Sequence, residues 1–198
     1  MNHRKALAIV TLLLAQTVGA EDYFSPKSLY EAAKSQERSN PSEAVSLYNS
    51  SAKGGYLPAQ LLVAGLHRSG IGGVEQNCQK SIYWYERAAE QDSADATVEL
   101  ASIYADDKDQ CYAPEKAVTL YKEAADNGHG QAQQSLALLY IQGTGVKKDL
   151  VAAHAWLSAS MKNGVYESSL NLREFIEKRM TPTEIEKAKA LAKTHIKN

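Results

Sequence analysis

Shifted against itself by 36 or 37 residues, the chain lays its packing positions over one another, and a period of that length restricts it to folds that stack one small unit on the next. Tyr48, Tyr85, Tyr121 and Leu157 fall in one column. One position earlier stand Leu47, Trp84, Leu120 and Trp156; four positions later come Ala52, Ala89, Ala125 and Met161; seven later come Gly55, Asp92, Gly128 and Gly164. A second set begins at Ala59, Ala96 and Ala132. Counting on from these, the fifth residue is Val63, Leu100 and Leu136, the sixth Ala64, Ala101 and Ala137, and the ninth His67, Tyr104 and Tyr140.

Both sets have helical spacing. Ala96, Leu100, Ala101, Ile103 and Tyr104 form one stripe, and Ala117, Leu120, Tyr121, Ala124 and Ala125 another, which makes each unit a pair of antiparallel helices, A then B. Small paired alanines let the next helix approach closely, and the aromatic one turn back fills the wider gap. The glycine column supplies the left-handed residue that ends helix B; Asp92 is its one departure and is expected to take positive φ. Pro41 and Pro114 open B helices, Asn40 caps one of them with Glu43 three residues on, and Thr181, Pro182 and Glu184 spell a capping box. Two further helices are expected at 166–179 and 182–196.

The first twenty residues read as an export signal. His3, Arg4 and Lys5 precede an apolar run from Ala6 to Ala15, and Val18-Gly19-Ala20 offers small residues for cleavage after Ala20. A run that short does not span a bilayer, which takes about 20 residues. Loss of Arg4 and Lys5 with the signal leaves 20 basic residues against 23 acidic ones. That balance gives no footprint for nucleic acid or an anionic membrane surface. The mature chain, 21–198, has two cysteines, Cys78 and Cys111; outside the cytoplasm they invite one disulfide, the alternatives being free thiols or an intermolecular link.

No reactive constellation emerges. His67 shares its column with Tyr104 and Tyr140, His129 falls in the turn "NGHG", His154 matches Ile82 and Val118 on helix B, and His195 lies in a tail expected to fray. No two histidines share a helix face as metal ligands would, and the glycine runs "GIGG" and "GTG" are too short for a phosphate loop. No catalytic residue, metal or cofactor is expected.

The pattern Ala-x3-Leu-Ala-x2-Tyr, then "GTGVKKD" at 143–149, then Ala-x2-Trp-Leu or Ala-x2-Leu-Tyr, then "KEAADNG", resembles the Sel-1-like repeat family, solenoid relatives of the tetratricopeptide repeat. The resemblance implies an all-α fold, a right-handed α/α superhelix of three to four helix pairs at about 27–55, 56–92, 93–128 and 129–164, closed by a C-terminal pair at 165–198. In the first full unit the loop "GIGGVEQN" carries an extra residue and Asn77 in place of Asp. In the second, "DDKDQCYAP" lacks the glycines. Cys78 and Cys111 stand in the A-to-B segments of neighbouring repeats, where a bridge would offset stability lost at that glycine-free loop.

By the same resemblance the A helices line a concave side, and Leu61 and Arg68, Val98 and Ser102, and Gln134, Leu138 and Ile141 would face a groove suited to an extended peptide or partner helix. The alternative is that the C-terminal helices cover Leu138 and Ile141. The expected role is a non-catalytic periplasmic or secreted scaffold for a protein or peptide partner, in keeping with family members that assemble envelope machines. An enzyme or enzyme inhibitor acting on cell-wall material is the rival.

Overall fold

The structure, a computed structural model, describes residues 24–195. The expected export signal and its expected cleavage point lie outside the described residues. Among the described residues the secondary structure is ten α-helices: α1 Pro26–Gln36, α2 Pro41–Lys53, α3 Leu57–Ser69, α4 Cys78–Ala89, α5 Ala94–Ala105, α6 Pro114–Asp126, α7 Gly130–Gln142, α8 Leu150–Lys162, α9 Tyr166–Glu177 and α10 Pro182–His195. The expected all-α class of repeated helix pairs therefore holds. The chain divides into two compact units, Met1–Gln91 and Asp92–Asn198.

In the first unit α1 packs on α2, α2 on α3 and α3 on α4. Ala52, Ala59, Ala64 and Ala88 are all but sealed from solvent, and Tyr48, Val63, Trp84 and Tyr85 fill the space between them. Small residues at the closest approach and rings beside it are what the columns require. Tyr30 of α1 meets both Tyr48 and Tyr56, with ring centroids 5.2 and 5.3 Å apart. α2 begins as its sequence dictates: Pro41 takes the first turn, and the Asn40 side chain accepts from Glu43 N–H at 3.4 Å.

Buried amides tie one helix pair to the next within this unit. Gln60 of α3 is 3% exposed; its Nε2 donates to the Ala52 carbonyl at 3.3 Å while its Oε1 accepts from Gln91 Nε2 at 2.7 Å. Inside the pairs, Ser51 Oγ donates to the Pro26 carbonyl and Ser81 Oγ to the Ala64 carbonyl, the latter at 2.9 Å. Each of these buried polar groups thus finds a partner, which spares the cost of an unmade bond.

The second unit repeats the design. α5 packs on α6, α6 on α7 and α7 on α8, while α9 and α10 both pack on α8. Leu136 and Leu157 are fully buried, contributing about 1.5–3 kcal/mol each by burial alone. Gln133 occupies the place of Gln60: its Nε2 donates to the Ala125 carbonyl at 3.0 Å, and its Oε1 accepts from Asn163 Nδ2 at 2.9 Å. Ser160 Oγ donates to the Gly130 carbonyl at 2.7 Å, as Ser51 does to Pro26.

The turns that end the B helices follow the column. Gly55, Gly128 and Gly164 have φ of 88°, 87° and 93°, and Asp92 has φ 61°, the expected left-handed exception. Gly145, in the loop between α7 and α8, is held by more than its φ of 66°: a Cβ there would meet the Pro114 carbonyl group and approach Glu115 N to 2.8 Å. Bare backbone is the condition for that loop to rest on the start of α6. The Thr181 box forms as spelled, with Thr181 N–H donating to Glu184 Oε2 at 2.8 Å and Glu184 N–H to Thr181 Oγ1 at 3.3 Å.

Candidate functional site

The candidate partner-facing residues lie in both units, and each unit is described by itself. In the first, Leu61 and Arg68 of α3 are half-buried. In the second, Val98 of α5 is buried and Ser102 half-buried; on α7, Gln134 is buried while Leu138 and Ile141 are half-buried. These side chains therefore differ in what they can offer a ligand. Leu61, Leu138 and Ile141 keep apolar surface in reach of solvent, whereas Val98 belongs to the packed interior of its unit.

Gln134 is engaged within its own chain. Its Nε2 donates to Ser168 Oγ at 2.6 Å and Ser169 Oγ at 3.1 Å; Ser169 Oγ then donates to Ser160 Oγ at 3.0 Å, and Ser160 to the Gly130 carbonyl. A relay of buried hydroxyls thus runs from α7 through α9 to α8. Sequence spacing places Gln134 on the A face but carries no signal that α9 would lie across it, because Ser168 and Ser169 belong to no column.

The histidines divide in a way the sequence foretold only in part. His67 is half-buried, its Nδ1 3.4 Å from the Glu75 carbonyl. His129 does more than occupy a solvated turn: it caps α7, with Nδ1 accepting from Ala132 N–H at 3.3 Å and Nε2 lying 3.2 Å from Asp95 Oδ1. His154 is 1% exposed, as a packing position should be, yet its Nε2 bonds Glu177 Oε1 at 2.7 Å. Burial pushes this imidazole below its usual range against the opposing pull of Glu177. The fraying expected at His195 is corrected: its ring stacks on Trp156 of α8, centroids 3.6 Å apart, because α10 folds back along α8.

Neither cysteine is free; Cys78 and Cys111 are disulfide-bonded, as their number and expected compartment suggested. A cleft of about 450 Å³ opens beside the glycine loop, lined by Tyr140, Lys147, Lys148 and Leu150, among others, and by Glu184. Its carboxylates are occupied: Asp149 caps α8 by accepting from Val151 and Ala152 N–H at 2.9 and 3.0 Å, and Glu184 serves the capping box. Among the described residues no helix is long and apolar enough to cross a membrane.

Comparison with known proteins agrees with this architecture. The chain is 31% identical over 159 residues to chitin synthase regulatory factor 3 of Schizosaccharomyces pombe, a match that takes in 76% of this chain and 17% of that much longer protein. Its fold is similar to the crystal structure of a Sel1 repeat protein from Oxalobacter formigenes, with TM-score 0.67 at 23% identity over 92% of this chain and 76% of that one. A protective antigen of uropathogenic Escherichia coli with the same type of fold aligns at TM-score 0.48 and 23% identity, over 93% of this chain and 48% of that one. The Sel1 repeat model matches four times, at residues 29–56, 57–93, 94–129 and 130–165. With more than half its length accounted for by those four matches and its helices paired as they require, the chain belongs to the Sel1 repeat family.

Proposed function

We propose that this chain is an exported, non-catalytic scaffold that holds a protein or peptide partner on the exposed faces of its A helices, in the assembly of a machine of the cell envelope. Sel1 repeat proteins are scaffolds for protein–protein interaction, and that is the general function the family match supports. The observation that carries the finer reading is the half-buried apolar surface of Leu61 on α3 and of Leu138 and Ile141 on α7, on helices whose opposite faces are already committed to packing. Such surface suits the apolar anchors of an extended segment or helix. The titratable groups that are held tightly, such as His154 and Glu184, are engaged with neighbours in their own unit and serve packing or capping.

The test joins location to binding. The mature chain recovered from the organism's envelope fraction should begin at Glu21. Affinity capture with it should recover a partner that Leu61→Asp or Leu138→Asp releases while far-UV circular dichroism is unchanged. Capture unaffected by either substitution rejects the faces, and a chain that retains Met1 in the cytoplasmic fraction rejects export.

A further inference from the structure

The C-terminal helices bury few residues of their own against α8. α9 buries Ser169 and Ile176 and α10 buries Ala188 and Ala192, against seven buried residues on α8. Tyr166 and Phe175 of α9 remain 57% and 49% exposed. With so little apolar area behind it, docking of these helices leans on the Trp156–His195 stack and on two buried polar assemblies. One is the hydroxyl relay from Gln134 through Ser169 to Ser160. The other is built around His154.

His154 sits in α8 where α9 and α10 both pack. Its Nε2–H donates to Glu177 Oε1 at 2.7 Å, and its Nδ1 is sealed from solvent without a hydrogen-bond partner. Arg173 Nε stands 3.5 Å from the same carboxylate oxygen, so Glu177 is shared between the imidazole and a guanidinium rather than held for the imidazole alone. From α10, Lys189 adds positive charge near the ring. α7 carries no Asp, Glu, Lys, Arg or His anywhere between Gly130 and Gln142 and supplies no compensating anion. A second proton on this ring would place an N–H where no acceptor waits, and a positive charge beside Arg173 and Lys189.

We propose that His154 is the proton-operated catch of a strap formed by α9 and α10, which lies closed over the Gln134 face of α7 while the imidazole is neutral and lifts when it is protonated. The sign follows from burial. The closed strap holds the imidazole below its ordinary value, so docking is at full strength above the usual histidine range and weakens as pH falls through it. One imidazole that regains a pKa near 6.5 on release raises the opening constant by up to about tenfold between pH 7.5 and 5.5. That lifting bares the α7 face to a partner rests on the function proposed above; the strap itself does not.

Hydrogen-exchange protection factors on the full mature chain, which remove the intrinsic pH dependence of exchange, test the device directly. Between pH 7.5 and 5.5 the amides of 166–195 should lose up to about tenfold protection relative to those of 130–162. His154→Gln should remove most of that response, as should His154→Ile, the residue type found in the same column at Ile82. His195→Gln, which removes the other imidazole in contact with α8, itself held below its usual range by burial, should leave most of it. Protection that changes less than twofold in the wild type, or that responds equally in the His154 variants, overturns the proposal, as does a response that disappears with His195 instead. A strap that responds in a chain capturing no partner upholds the proposal and rejects the binding reading alone.

Discussion

A single missing side chain can matter for two separate reasons, and the glycines of this protein separate them. Gly128 needs its positive φ but has open space around a would-be Cβ; Gly145 needs both φ and absence of volume. Gly128→Ala should cost about 1–2 kcal/mol, the penalty of a left-handed L-residue. Gly145→Ala should cost about 3 kcal/mol or more, since the loop must also lift from Pro114. Urea midpoints of the two variants measure the difference. Gln133→Leu should cost about 0.5–1.5 kcal/mol for each bond it removes, since the Ala125 carbonyl keeps its bond from Gly128 N–H and the Asn163 amide is exposed to water. Positions of the first kind were legible in sequence, since the column with Gly55, Gly128 and Gly164 foretold the φ of Asp92. The partners of Gln133 were not, because a buried glutamine in a register of alanines looks the same whether it is solvated or satisfied. His154 and Glu177 were less legible still: they are 23 residues apart and outside any shared period.

Helices are the level at which periodicity speaks most reliably. The stripes of α5 and α6, the proline starts of α2 and α6 and the capping box of α10 all follow from offsets of three, four and seven residues. What offsets do not carry is which helix a non-repeating element chooses. α9 and α10 follow the array as a pair in sequence, but both lie on α8, and that choice is made by Ser169, Glu177 and His195, which no repeat position announces. The start of α10 can be loosened without touching that docking: Thr181→Ala should cost about 1 kcal/mol and reduce protection of the first turn, read by hydrogen exchange. Hydrogen bonds from the Thr181 backbone and hydroxyl hold the Glu184 carboxyl below its usual range. The cap is therefore present above that range and lost as pH falls through the lowered value, a window more acidic than the one in which His154 acts.

For the molecule as a whole, composition excluded more than it assigned. A near-neutral balance argued against nucleic acid, and no two histidines share a helix face as metal ligands would, whereas the partner proposed above would be met on surface that is simply left over after packing. The disulfide adds a constraint on the unfolded chain. Cys78 and Cys111 close a loop of 33 residues, so reductant should remove about 3–4 kcal/mol and lower the thermal midpoint measured with and without dithiothreitol. The glutamine bonds that seat α3 on α2, and α7 on α6, have a different reach. They join a side chain in one hairpin to main-chain carbonyls that every copy possesses, whatever its side chains. Nothing in such a joint counts how many copies precede it. A tandem duplicate of 130–165, spliced in after Val165, should consequently find its socket ready-made, and the lengthened protein should keep the same helical signal per residue as its parent.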